Sequence, residues 1–251
     1  MVCVDETGRW VIPILSGHLG GANALAREIA ALTGGEAVIT TATDINGLFA
    51  VDLWAKRQDM AVLQPERIKR VSAKLLRGES VRIACPFPVR GETPAGVAIA
   101  TEGDVLVSYR TAETAALQLV PSVLTLGIGC RRGTDAVQLE RAFADFCRER
   151  GILPQAVRDA ASIDLKSDEA GLLDFCAGRG LTVRFYPAAE LRRLEGTFSA
   201  SPFVESRTGV DNVCERAAVL ASGGRLIEKK YAREGVTFAL AERPADYDWS
   251  W

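Results

Sequence analysis

The chain has one histidine, His18, in 251 residues. Its six cysteines, Cys3, Cys85, Cys130, Cys147, Cys176 and Cys214, form no CxxC pair. With a single imidazole and scattered thiols, no zinc set of ordinary spacing can be written. The cysteines read instead as reduced, mostly buried thiols of a cytoplasmic protein. Runs of about 18 apolar residues are missing, so no membrane span is expected. A basic opening followed by an apolar core is missing too, so no export signal is expected. The formal charge is only −2. That argues against a broad basic surface though not against a local basic pocket, and nucleic acid is not an expected partner. Neither a Gly-Lys-Ser/Thr phosphate loop nor a GxGxxG fingerprint occurs, which argues against a nucleotide site. The sequence contains no internal repeat and no low-complexity block.

What is present is an ordinary globular composition, 48% apolar and 25% charged. That is enough chain for a core without metal or disulfide staples. Arg9 to Leu15 is a short apolar run bounded by turns, and a glycine turn follows it. Leu25, Ile29 and Leu32 then recur at helical spacing up to Gly34-Gly35, and Glu36 to Asp44 is β-branched. Strand, turn, helix, strand is a βαβ unit. Leu48 to Gln58 and the segment opened by Pro65, with Ile68, Val71 and Leu75 on one face, predict further helices. The stretch from Val81 to Arg110 predicts short strands, the last two joined as a hairpin at Gly103. It is thin in groups that could do chemistry. A second α/β pattern starts near Pro121 and closes with two strands near Arg225 to Lys230 and Val236 to Leu240. The tail DYDWSW is expected to fray. The expectation is an α/β protein with parallel or mixed sheets and flanking helices. It divides into an N-terminal α/β domain (1–61, incomplete), a small middle region (62–120) and a C-terminal α/β domain (121–251).

Four strand-end segments could carry chemistry, because ligands of open α/β sheets bind outside the carboxyl ends of the strands. In SGHLGGAN, Gly17, Gly20 and Gly21 let backbone amides approach a ligand at a helix N-terminus. His18 stands among them as a base or hydrogen-bond donor, with Ser16 and Asn23 to orient a ligand. A tight turn whose imidazole caps a carbonyl accounts for the same residues. In TTATD, the Thr40 and Thr41 hydroxyls and Asp44 suit a polar ligand, or a turn that starts the next helix. In LGIGCRRGT, the amides near Gly129 and the Arg131 and Arg132 guanidiniums suit a carboxylate or phosphate, with Thr134 placed as N-cap. A solvated basic loop is the alternative. Finally, Lys166 in SIDLKSDEAGLL could hold a substrate carboxylate, or pair with Glu215 of GVDNVCERAA. Asp168 and Glu169 are placed in the first turn of a helix.

Taken together, VDETGRWVIPILSGHLGGANALAREIA, VITTATD, LGIGCRRGT, SIDLKSDEAGLL, SPFV and GVDNVCERAA, in this order from Val4 to Ala218, resemble the CbiG family of cobalt-precorrin 5A hydrolases of cobalamin biosynthesis. The C-terminal part is also similar to CobE. Members of the CbiG family usually carry more residues ahead of the VDE segment, so the resemblance implies that upstream sequence is missing. It implies a tetrapyrrole substrate, cobalt-precorrin 5A, whose ring A lactone is opened by water with loss of acetaldehyde to give cobalt-precorrin 5B. Cobalt arrives within the substrate, so no cofactor and no protein metal site are expected. On that reading His18, Asp44 and Glu215 are the candidate catalytic groups. Ser16, Gly17, Gly20, Gly21, Asn23, Thr40, Thr41, Gly129, Arg131, Arg132 and Lys166 are the candidate binding groups. A homodimer is an open possibility. The competing reading is a non-catalytic carrier of a corrinoid intermediate.

Overall fold

Apolar runs bounded by glycine and proline become short strands, and the segments between them become helices. The computed structural model describes residues 1–15, 17, 20–40 and 42–251, apart from the side chain of Asp44. The chain divides into two units, one of residues 1–108, 113–121 and 246–251, the other of residues 109–112 and 122–245.

The first unit opens with β1 (Val2–Val4), β2 (Trp10–Pro13), α1 (Ala22–Thr33) and β3 (Glu36–Ala37). Their sheet has the order β1-β2-β3, antiparallel and then parallel. The face that α1 buries is not the leucine stripe. Ala22, Ala26 and Ala30 are buried, whereas Leu25 is 48% and Leu32 82% exposed. Both sets have helical spacing, and only the small side chains let the helix settle against Val11 and its neighbours. The strand expected to run to Asp44 ends at Ala37, and Thr43 already belongs to α2 (Ala42–Ile45).

Next come α3 (Val51–Arg57), β4 (Met60–Val62), a 3-10 turn at Pro65–Arg67, α4 (Ile68–Leu76), β5 (Val81–Ala84), β6 (Val89–Arg90), β7 (Val97–Ala100), β8 (Val105–Val107) and β9 (Leu117–Pro121). The expected hairpin at Gly103 does not form. The sheet order is β4-β9-β8-β5-β7, so β7 and β8 flank β5 and both run parallel to it. Gly103 instead crosses the edge of β5, where a Cβ would stand 2.2 Å from the Arg82 carbonyl oxygen.

The second unit contains β10 (Leu124–Cys130), α5 (Ala136–Arg150), β11 (Val157–Ile163), α6 (Ala170–Gly178), β12 (Thr182–Tyr186), α7 (Ala188–Arg193), α8 (Pro202–Thr208), α9 (Cys214–Ser222), β13 (Arg225–Arg233) and β14 (Val236–Glu242). Its sheet has the order β12-β11-β10-β14-β13, with parallel strands on one side and an antiparallel pair on the other. Alternation along the strands sorts the two faces. Ile128 pairs with Phe238, and Phe238 packs on Phe143 and Phe146 of α5 and Phe175 of α6. The opposite face carries a row of small residues, Ala239, Gly127 and Ala161, paired across three strands. Here α9 lies so close that a Cβ on Gly127 would fall 1.8 Å from the Cys214 carbonyl oxygen.

The last strand, β15 (Tyr247–Asp248), pairs with β6 in the first unit. The tail does not fray. Trp249 stacks on fully buried Trp54 at a centroid distance of 5.3 Å, and Trp54 Nε1 donates to the Asp248 carbonyl at 2.7 Å. Two tryptophans in contact bury enough apolar surface to order a terminus.

Candidate active site

In the second unit the residues expected to form an anion site lie around the ends of neighbouring strands β10 and β11. Past Cys130 the chain turns through Arg131–Thr134 and enters α5. Its N-cap is Asp135, whose carboxylate accepts from the Gln138 amide at 2.7 Å. Thr134 is therefore not the cap. Its hydroxyl donates to the Arg131 carbonyl at 2.8 Å and tightens the turn. The Arg131 amide donates to the Gly235 carbonyl at 3.1 Å, and the Arg131 stem lies over Gly235.

The turn after β11 is a 3-10 segment, Asp164–Lys166. Asp168 and Glu169 precede α6, with Glu169 in the N-cap position. The Glu169 side chain joins the two turns: one oxygen accepts from the Gly133 amide, the other from Lys166 Nζ at 2.8 Å. Glu169 is 5% exposed. The Lys166 ammonium and the Gly133 amide hold its carboxyl below the ordinary 4.5. Lys166 thus pairs with Glu169 and not with Glu215. Arg132 is bidentate to Asp168 at 3.3 Å, in a pair open to solvent on both sides. That contact holds the Asp168 carboxyl down and pushes the Arg132 guanidinium up. Burial pushes the Cys130 thiol up, so it stays protonated at neutral pH. Gly129 contributes backbone, and a Cβ there would stand 2.5 Å from Thr237 Oγ1.

Glu215 has another place. It is fully buried in the first turn of α9. One oxygen accepts from the Ser199 amide at 2.8 Å and the other from the Lys230 amide at 2.7 Å. Asn212 braces the same corner by accepting from the Glu215 amide at 2.9 Å and donating to the Ser199 carbonyl at 2.9 Å. Both carboxylate oxygens are occupied in fixing two chain segments, and no face of the group is exposed to a ligand.

In the first unit Gly17, Gly20, Gly21 and Asn23 gather between β2 and the start of α1. The Asn23 amide donates to the Gly17 carbonyl at 2.9 Å, and a Cβ on Gly17 would meet Asn23 Oδ1 at 2.9 Å. Gly21 has φ 73°, a left-handed conformation that favours glycine at this helix entry. Asn23 is 4% exposed. Thr40 is exposed beyond β3, at the same end of the sheet as the glycine turn because β2 and β3 are parallel. Ser16, His18 and Thr41 lie outside the described residues, as does the side chain of Asp44. Among the described residues, no group of three or more His, Cys, Asp or Glu side chains could hold a metal ion. None of their helices is long and apolar enough to cross a membrane.

From sequence Glu169 is legible only as a dipole partner, since its contact with Gly133 lies 36 residues away. Arg216 does not stand out by itself either: it pairs with Asp211 at 2.7 Å, stacks on Phe198 at 4.5 Å and donates to the Leu191 and Leu194 carbonyls. The GVDNVCERAA stretch held the signal: an arginine one residue after a buried helix-start glutamate.

Family models match the chain in sequence order. The cobalamin synthesis G N-terminal model covers residues 1–44, the cobalamin biosynthesis central region 49–121, and the cobalamin synthesis G C-terminus 124–241. The cobalt-precorrin-5A hydrolase of Priestia megaterium is 32% identical over 98% of this chain and 72% of its own length. That of Salmonella typhimurium strain LT2 is 33% identical over 96% of this chain and 73% of its own. Among solved structures, CobE, a protein from the cobalamin (vitamin B12) biosynthetic pathway, aligns with TM-score 0.45 and 33% identity. That alignment covers 49% of this chain and 91% of CobE.

Proposed function

The chain belongs to the cobalamin synthesis G family of cobalt-precorrin-5A hydrolases, and from that premise we propose that it hydrolyses cobalt-precorrin 5A itself. The observation that carries this is the similarity to two hydrolases along nearly the whole chain, at 32% and 33% identity. Water adds to the lactone carbonyl of ring A, and the ring opens to a carboxylate and a hydroxyl. The hydroxyl-bearing carbon then leaves with its methyl group as acetaldehyde. Substrate plus water gives cobalt-precorrin 5B plus acetaldehyde. Cobalt enters as part of the substrate.

Two tasks fall to the protein: activating water or steadying the lactone oxyanion, and holding a ring edged with carboxylates. For the first, His18 supplies the imidazole that base or donor chemistry needs, and it sits in sequence between Gly17 and Gly20. Asp44 is the partner proposed for proton transfer during C–C cleavage. For the second, Arg131 and Arg132 offer charge beside Gly129, while the Arg131 and Gly133 amides are engaged with Gly235 and Glu169 and hold the turn in shape. Lys166, bonded to Glu169, serves by bracing the two turns that present those guanidiniums. Glu215 shapes this end of the unit through the Ser199 and Lys230 amides. The cytoplasm as compartment and a homodimer as assembly belong to the same proposal.

The test is anaerobic incubation with cobalt-precorrin 5A, followed by mass spectrometry of the corrinoid. Gain of a water and loss of an acetaldehyde is the expected change, abolished in His18→Ala while binding persists. An unchanged corrinoid mass with wild-type protein contradicts the proposal. Full turnover by His18→Ala removes the histidine from the chemistry and leaves the reaction standing.

A further inference from the structure

A cleft of about 590 Å³ runs along α4 in the first unit. Five cations line it, Arg67, Lys69, Arg70, Lys74 and Arg77, against one acid, Asp104. With Glu79, which pairs with Arg77, counted as well, the cleft and its rim carry +3 in a chain whose total is −2. Four of the cations, at 67, 70, 74 and 77, follow the three-four-three spacing of one helix face. From Arg67, just before α4, to Arg77, just after it, ten steps of about 1.5 Å spread them over about 15 Å.

These cations are of two kinds: Arg67, Lys74 and Arg77 are engaged, the last with Glu79, whereas Lys69 and Arg70 are not. Arg67 donates to the Thr114 and Ala116 carbonyls at 2.8 and 2.6 Å and holds one wall in place. Lys74 pairs with Asp104 at 2.8 Å, and Asp104 also accepts from the Arg82 amide at 3.0 Å. Those contacts fix the turn at Gly103. Lys69 and Arg70 are exposed, and neither has an ion-pair partner among the described residues. Between the charges the lining is apolar, with Val71, Ala116 and Leu117 buried. Fixed walls, an apolar floor and two uncommitted cations fit an anion that carries several carboxylates around an apolar ring.

We propose that the cleft along α4 is a carboxylate subsite that takes peripheral acid side chains of the tetrapyrrole through Lys69 and Arg70. This rests on the hydrolase reading for the identity of the ligand, though not for its charge and shape.

The full chain would be titrated with a porphyrin polycarboxylate, followed by porphyrin fluorescence. Its neutral ester and inorganic phosphate are the comparison probes. Lys69→Glu/Arg70→Glu is expected to weaken the polycarboxylate roughly tenfold, as loss of two charge-assisted contacts of modest strength should. Lys69→Gln/Arg70→Gln should weaken it less, and Arg192→Glu/Arg193→Glu, a like reversal on α7, should leave it unchanged. An unchanged affinity in the α4 variants, or equal weakening by the α7 pair, overturns the subsite. So does phosphate binding at these residues without polycarboxylate binding. With cobalt-precorrin 5A, the α4 reversal should raise KM while kcat holds. If wild-type protein turns over this substrate and KM does not move, the subsite fails and the hydrolase reading stands. If wild-type protein does not turn it over, the hydrolase reading fails and the porphyrin titration alone decides the cleft.

Discussion

The turns after β10 and β11 and the cleft along α4 are both rich in charge, yet they use it differently. At the turns, Glu169, Lys166, Asp168 and Arg132 answer one another. In the cleft, Arg67 and Lys74 are committed to the walls while Lys69 and Arg70 line it exposed and without an ion-pair partner among the described residues. Charge answered inside the protein shapes a site and binds only by exchanging its partner, as the exposed Arg132 would have to exchange Asp168, whereas charge left over binds directly. An ion pair in solvent adds little stability, because water already solvates both partners. A buried carboxylate bonded to backbone amides adds more, because removing it strands those donors.

That distinction can be broken at the frame first. Gly127→Val should destabilise the second unit by about 3 kcal/mol, since the new side chain must displace α9 from the sheet. Urea unfolding of the full chain would register it, while Gly178→Ala, in open space, should register no loss. Glu215→Gln comes next. An amide nitrogen would then face one of two amide donors, and a loss of about 2 kcal/mol is expected. A neutral result would show that the Ser199 and Lys230 segments do not depend on this carboxylate.

Glu169→Gln should lose about 1 kcal/mol at neutral pH and carries a pH signature. The folded carboxyl titrates below its ordinary 4.5, so the unfolded chain takes up the proton more readily. The advantage of wild type over Glu169→Gln is therefore complete above that value and fades as the pH falls through the lower folded one. Denaturation midpoints of both proteins between neutral pH and pH 4 (about one half-unit below 4.5) would trace the onset. A difference that grows on acidification would contradict the pairing with Lys166 and Gly133. The smallest effect belongs to Arg132→Ala, whose exposed pair with Asp168 should leave the midpoint unmoved. Its consequence should appear in substrate affinity alone.

Much of this architecture is readable from residue order. Leu139, Phe143 and Phe146 repeat at helical spacing and are fully buried on α5. Gly223 ends α9 in the left-handed conformation expected of a glycine after a helix. Other features depend on partners far away in the chain. Alanines on α1 bury because the small sheet beside them lies close, which spacing alone cannot rank against leucines. Gly103 looks like a hairpin turn until β5 inserts between β7 and β8. Of the candidate site, the clustering of Gly129, Arg131, Arg132 and Lys166 follows from strand ends. The partner of Lys166 does not, since Glu169 and Glu215 are both carboxylates and only the contact with Gly133 selects between them. The cations of α4 were in plain view, but a charged helix face becomes a cleft only when residues 103–104 and 115–117 rise beside it.

The most direct measurement is acetaldehyde trapped from cobalt-precorrin 5A under anaerobic conditions. The account predicts acetaldehyde in proportion to substrate consumed. Tight binding of the corrinoid with no acetaldehyde would contradict it, and would make the chain a carrier of the intermediate.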